Sequence, residues 1–325
     1  MRQSGNIIIF LLACIAFIGI AAALKSASVT TRPELAKPTV TVQQIRSQPE
    51  PLVPDKAFLA QPITSAITPE KIEQAEKKAV VSDFIVTARS YLVGDIATGH
   101  VYAERNSRTI VPFASMSKLM TAIVAADTYT ATSTVVITPS ETEVPADASA
   151  LKAGERFSAK ELAYPMLMNS SNVAAEALSS TTNRTRFLEL MSSYAWEIGM
   201  KDTYFADPTG LSARNAGTAR DFFALARYLY SNRPGILAIT RLATSSVATT
   251  TEHGRHLFTN IHPFVTDRRF LGGKTGHTPE ALDTMLTIMN VNGKPTAFIV
   301  LHSEDRQRDT QILIEQVSAL MSIGG

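Results

Sequence analysis

Pro112-Phe113-Ala114-Ser115-Met116-Ser117-Lys118-Leu119-Met120-Thr121 is the stretch from which the rest of the chain can be read. Pro112-Phe113-Ala114 breaks the chain, and Leu119 through Ala126 is apolar and rich in helix formers, so a helix is predicted with Ser115 in its first turn. Positions three apart share a helix face, which brings the Ser115 hydroxyl to the Lys118 amine. Free backbone N–H groups and the dipole at that end favour a developing oxyanion. Serine is a poor nucleophile until a base takes its proton, and an amine kept neutral by nearby positive charge is such a base. The same spacing recurs at Ser149-Ala150-Leu151-Lys152, but Ala153-Gly154-Glu155 follows it and reads as strand or turn. Ser115 is the candidate nucleophile.

Two further stretches join it. Ser170-Ser171-Asn172 follows an apolar helix containing Met166 and Leu167. From a loop, its hydroxyl and carboxamide point the same way, one to relay a proton and the other to bond a substrate amide. Taken alone, the pair reads more readily as a helix cap ahead of Val173-Ala174-Ala175. Lys274-Thr275-Gly276 lies within Phe270-Leu271-Gly272-Gly273-Lys274-Thr275-Gly276-His277-Thr278. Glycines on a strand mark close approach by a backbone or ligand, and lysine and threonine beside them suit a carboxylate. Alone this is also a plain glycine-rich loop; its spacing excludes a nucleotide P-loop.

Outward from these motifs, strand patterns lie at both ends of a domain with a mostly helical middle. Tyr91-Leu92-Val93 and Val101-Tyr102 flank the turn Asp95-Ile96-Ala97-Thr98-Gly99. Leu282 to Val291 and Pro295 to His302 flank Asn292-Gly293, a strong hairpin signal. Helical spacing runs over Arg184 to Met200, Thr218 to Tyr230 and Asp309 to Met321, and Ser158-Ala159-Lys160-Glu161 has the capping-box pattern. The predicted class is α/β (α+β): an antiparallel sheet flanked by helices, with a helical insert as a second lobe and a cleft between the two.

Residues 83–325 form that domain. Residues 26–82 read as a Pro/Thr-rich extended linker, since seven of the 16 prolines fall between Pro33 and Pro69 and no glycine lies between Gly19 and Gly94. Residues 1–25 hold an apolar run, Ile7 to Leu24, between Arg2 and Lys25, of a length between a signal-peptide core and a membrane anchor. Either way the remainder is expected to be exported. Cys14, the only cysteine, sits inside that run, so the exported part cannot form a disulfide. A net charge of +2 without a basic stripe argues against a nucleic-acid partner. The six histidines make no metal-site pattern, and His253-Gly254-Arg255-His256 reads as surface.

Over about residues 84–322 the sequence resembles the low-molecular-mass penicillin-binding proteins, the serine-type D-alanyl-D-alanine carboxypeptidases of peptidase family S11. The three motifs carry the likeness, with Asp207-Pro208-Thr209-Gly210-Leu211 and Thr218-Ala219-Arg220-Asp221. The resemblance implies a β-lactamase/transpeptidase-like fold, no cofactor and no metal. It implies that Ser115 attacks the penultimate D-alanine of a stem peptide ending in D-Ala-D-Ala, and that β-lactams acylate the same serine. By the same resemblance Lys118 is the base of acylation. Ser170 and Lys274 shuttle the proton to the leaving D-alanine, and Asn172 binds the peptide carbonyl or amide. Thr275 holds the terminal carboxylate, assisted by Arg308; the Ser115 and His277 N–H groups form the oxyanion hole, and Gly276 and His277 belong with Thr275 to the substrate-binding strand.

The implied setting is the bacterial periplasm or the outer face of the cytoplasmic membrane, with the membrane as partner if the apolar segment is retained. Three departures from the family pattern stand out: Ser171 where glycine is usual, Ala281-Leu282 where an Ala-Gly pair is common, and no second β-domain or C-terminal anchor after the last helix. A β-lactamase or a D,D-endopeptidase uses the same chemistry, but no Glu-x-x-Leu-Asn segment lies between the second and third motifs. The other alternative is a non-catalytic wall-binding protein, against which the intact Ser115, Lys118 and Lys274 count.

Overall fold

Period-two alternation of large apolar side chains in three strands decides how the domain folds, because it gives one sheet two faces to bury. The computed structural model describes residues 84–130 and 132–323; the readings of 1–25 as leader or anchor and of 26–82 as linker lie outside the described residues. The strands are β1 (Ser90–Asp95), β2 (Val101–Arg105), β3 (Val111–Pro112), β4 (Thr134–Val136), β5 (Arg156–Ser158), β6 (Ala216–Gly217), β7 (Thr244–Val247), β8 (His256–Thr259), β9 (Phe270–Thr278), β10 (Leu282–Val291) and β11 (Lys294–Ser303). The helices are α1 (Lys118–Thr128), entered through a 3-10 turn at Ala114–Ser117, α2 (Pro139–Thr142), α3 (Ala159–Met168), α4 (Asn172–Ser180), α5 (Arg184–Glu197), α6 (Ala219–Asn232), α7 (Pro234–Thr240) and α8 (Arg306–Ile323).

The main sheet is antiparallel in the order β2-β1-β11-β10-β9, so the two ends of the domain meet at its centre, with Leu92 opposite Ile299 and Val93 opposite Phe298. Tyr91, Val93, Met285, Met289, Phe298 and Val300 face α8, where Leu313, Ile314 and Val317 cover them. Their neighbours Leu92, Leu286, Ile288 and Ile299 face the other way, into a core shared with Phe222 and Leu225 of α6. Each such side chain contributes about 1.5–3 kcal/mol by leaving water. Asn292 and Gly293 both take left-handed backbone angles, the geometry of a tight hairpin turn, and so set the β10–β11 register.

The helical lobe packs α1, α3, α4 and α5 around Met120, Leu162, Met166, Leu178 and Met191. Its helices start where local chemistry says they should. Ser158 and Glu161 form the capping box of α3, Ser171 caps α4, Asn183 caps α5 and Thr218 caps α6. His253 and His256 correct the sequence reading, because both are buried and not on the surface. Their rings pack on Phe157 of β5, and His256 Nε2 lies 2.9 Å from Glu155, so the hairpin's apolar partner pulls them inward. No helix among the described residues is long and apolar enough to cross a membrane.

A buried carboxylate fastens α8 to the sheet. Asp309 accepts from Thr87 N–H (2.9 Å), Thr87 Oγ1 (2.7 Å), Ala88 N–H (2.7 Å) and Ser303 Oγ (2.6 Å). Asp309→Ala strands these donors without acceptors and is expected to cost about 3 kcal/mol in urea unfolding.

Candidate active site

The buried amine of Lys118 sits at the centre of a cluster drawn from four parts of the chain. Its Nζ lies 2.8 Å from Ser115 Oγ, one helical turn back, and donates to Asn172 Oδ1 at 2.7 Å and to the Thr209 carbonyl at 2.6 Å. Burial pushes its pKa down to about 7, against the partial opposition of Asp207, Asp147 and Glu176. A neutral amine has two N–H groups and one lone pair. Asn172 and Thr209 take both N–H groups, which leaves the lone pair to face the Ser115 hydroxyl.

The second lysine stands opposite. Lys274 of β9 is also buried, lies 2.9 Å from Ser170 Oγ and donates to the Thr275 carbonyl at 2.8 Å. Burial, then the charges of Lys118 and Arg306, holds its pKa well below the ordinary lysine value. Ser170 occupies the link between α3 and α4 with a φ of 65°, a left-handed conformation costly for a residue with a side chain. The Ser171 N–H bond to the Pro165 carbonyl (2.9 Å) helps hold it there. Ser171 is buried and turned away from this cluster, its hydroxyl capping α4 at Ala174 N–H (3.0 Å). It therefore does not crowd the cleft.

Backbone fit explains two glycines. A Cβ on Gly276 of β9 would lie 2.9 Å from both Ser115 N and the Phe113 carbonyl oxygen, so only glycine lets the strand pass this close to Ser115. Gly210 has a φ of +88°, and a Cβ there would sit 2.0 Å from the Ala114 carbonyl oxygen. The Asp207 carboxylate shapes that loop: it accepts from the N–H groups of Thr209 (2.8 Å), Gly210 (2.6 Å) and Ser212 (2.8 Å) and from Asn215 Nδ2 (2.8 Å), which aims the Thr209 carbonyl at Lys118. Ala114, just before the serine, is itself left-handed at φ 50°.

Ser115, Lys118, Ser170, Asn172, Lys274, Thr275 and Gly276 are thus gathered at one place, and His277 follows on the same strand with its ring 2.9 Å from Asp283. Arg308 is not gathered with them. It is exposed on α8, whereas Arg306, two residues earlier and on another side of the helix, donates to the Gly276 carbonyl (2.7 Å) and to Asp283 (3.2 Å). Sequence reasoning missed Arg306, the Thr209 carbonyl and Asp147. Only the Asp207-Pro208-Thr209-Gly210-Leu211 segment carried a signal for any of them.

A family model described as D-alanyl-D-alanine carboxypeptidase, peptidase family S11, matches residues 74–305. This chain belongs to that family. Among relatives, a D-alanyl-D-alanine endopeptidase of Pseudomonas aeruginosa is 33% identical over 220 residues, covering 65% of this chain and 70% of the relative. A D-alanyl-D-alanine carboxypeptidase of Mycobacterium tuberculosis is 29% identical over 206 residues, covering 61% and 69%. Among solved structures, penicillin-binding protein D2 from Listeria monocytogenes, in its cefotaxime-bound form, matches with a TM-score of 0.63 at 26% identity over 73% of this chain and 99% of that one. A D-alanyl-D-alanine carboxypeptidase from Mycobacterium tuberculosis shares the fold with a TM-score of 0.67 at 24% identity, over 74% and 94%. The chain is a serine-type hydrolase of this carboxypeptidase family, whose members act on peptidoglycan outside the cytoplasm.

Gly210→Ala in this family member forces a methyl group into the Ala114 carbonyl from a left-handed backbone. It is expected to lower stability by about 2–4 kcal/mol in urea unfolding.

Proposed function

We propose that the domain hydrolyses the terminal D-Ala-D-Ala bond of peptidoglycan stem pentapeptides through an acyl-enzyme on Ser115. The observation that carries this is the buried Lys118 amine, with both N–H groups occupied, 2.8 Å from the Ser115 hydroxyl. Lys118 takes the hydroxyl proton as Ser115 Oγ bonds to the penultimate carbonyl carbon. The N–H groups of Ser115 and His277 hold the resulting oxyanion. The C–N bond then breaks, and the leaving amine gains a proton through Ser170 and Lys274. Water adds to the ester carbonyl and releases the shortened stem with free Ser115.

Asn172 orients the peptide, and Thr275 holds the terminal carboxylate on the Gly276 side of β9. Arg306, and not Arg308, supplies the positive charge nearby, because its guanidinium is anchored on that strand. A β-lactam presents a carbonyl and a carboxylate in similar relation, so it acylates the same serine. An exported position, in the periplasm or on the outer face of the cytoplasmic membrane, fits this substrate. The segment Ile7 to Leu24 serves as leader or anchor.

A second reading is cleavage of D,D-cross-links, favoured by relatives named D-alanyl-D-alanine endopeptidase at 33%, 29% and 32% identity. The acyl half of the substrate is the same in both cases, and only the leaving amine differs. Free D-alanine released from a pentapeptide supports the carboxypeptidase. Cleavage of a cross-linked dimer without D-alanine release supports the endopeptidase.

Fluorescent penicillin is expected to label the protein on Ser115, with the adduct located by mass spectrometry and abolished by Ser115→Ala. An adduct elsewhere, Ser149 included, defeats the assignment. Lys118→Ala is expected to slow acylation by about a thousandfold while leaving a folded protein. Because burial pushes Lys118 down to about 7, protonation below that pH removes the base. The acylation rate should therefore fall about tenfold per pH unit on the acid side and level off above about pH 8, as read by stopped-flow labelling.

A further inference from the structure

Two oddities of the sequence, Ser149 in a second Ser-x-x-Lys and Ser171 in place of glycine, meet at one carboxylate. Asp147 accepts from Ser149 N–H (2.8 Å), Ser149 Oγ (2.5 Å), Ser171 Oγ (2.8 Å) and Val173 N–H (2.9 Å). Ser171 Oγ also lies 3.0 Å from Ser149 Oγ. These bonds tie the segment 145–149 to the start of α4. Ala146 and Ala150, on either side of the carboxylate's contacts, are both left-handed, at φ 56° and 57°, a conformation alanine adopts only when its surroundings impose it. With the segment held there, the carbonyls of Pro145 and Ala146 receive Asn172 Nδ2 at 2.9 and 3.3 Å.

That placement settles which end of the Asn172 amide faces the lysine. With Nδ2 engaged by two carbonyls, Oδ1 is turned to Lys118 and accepts one of its N–H groups. An amide turned the other way would present N–H to the amine, and the lone pair needed for the Ser115 proton would be spent on Asn172 instead.

We propose that Asp147 is a positioning residue for acylation: by clasping Ser149, Ser171 and the Val173 amide, it fixes the Asn172 carboxamide so that the Lys118 lone pair is left for Ser115. Ser149 is then part of the clasp and not a second nucleophile, and Ser171 supplies a donor that glycine lacks. The inference rests on the acyl-enzyme reading above. Asp147 is held ionised, because the hydrogen bonds from Ser149, Val173 and Ser171 outweigh the effect of its burial. Its charge acts on Lys118 together with Asp207 and Glu176 on one side and Lys274 on the other, while Arg184 pairs with Glu176.

The test is the second-order rate of acylation by fluorescent penicillin, measured against pH for wild type and Asp147→Asn, with melting curves to establish folding. The expected result for D147N is a plateau about tenfold lower, from misplacement of the amide, with the acid limb moved to lower pH because Lys118 loses a neighbouring negative charge. A plateau within twofold of wild type, or a lower plateau with an unmoved acid limb, overturns the proposal. Should D147N not fold, Ser171→Gly decides. It keeps the carboxylate and is expected to lower the plateau about threefold without moving the limb. Loss of a helix cap alone would lower the melting temperature and leave the plateau at the wild-type rate, which overturns the clasp. Failure of wild-type protein to label at Ser115 defeats the acyl-enzyme reading itself, separately from either variant.

Discussion

An amine removed from water and given two fixed acceptors organises this protein. Buried without a partnering charge, an ammonium ion is strongly disfavoured, so Lys118 is driven toward its neutral form. Neutrality alone would not make a directed base, because a free amine rotates. Asn172 Oδ1 and the Thr209 carbonyl consume both N–H groups and leave one direction for the lone pair, toward Ser115. The loop at 207–212, the start of α4 and the first turn of α1 must all be in place for that to hold.

Much of the surrounding architecture follows from this requirement. Asp207 gathers backbone donors of its own loop to aim one carbonyl. The sheet brings β9 past the nucleophile so closely that Gly276 admits no side chain. Lys274 shares the same enclosed region, where burial and the proximity of Lys118 hold its proton affinity down too. Two lysines within one cleft repel each other when both are charged. That repulsion, added to burial, is why Lys274 gives up its proton more readily than an ordinary lysine.

Part of the backbone strain lies at the same place. Ala114 before the nucleophile and Ser170 opposite it carry left-handed backbone despite having side chains, as do Ala146 and Ala150 around Asp147. The stability that holds these segments comes from ordinary burial elsewhere: the two-faced sheet and the helical core around Met120 and Leu162. Helix caps such as the Ser158–Glu161 pair add to it locally.

The amino-acid sequence alone determined the pieces whose cause is local. Strand patterns at the two ends of the domain marked the sheet, Asn292-Gly293 marked the β10–β11 hairpin, and the three-residue spacing of Ser115 and Lys118 put hydroxyl and amine on one helical face. It could not choose Arg306 over Arg308, because that choice depends on which side of α8 lies against β9. Nor could it place His253 and His256, whose burial comes from Phe157 about a hundred residues away. The roles of the Thr209 carbonyl, whose segment alone was marked by a motif, and of the Asp147 carboxylate were hidden for the same reason. A backbone oxygen has no residue-type signature, and a carboxylate joins a network only when the fold brings donors 2 to 26 positions distant within reach. Local periodicity is written into the chain itself, whereas contacts between distant segments exist only once the sheet and helices have packed.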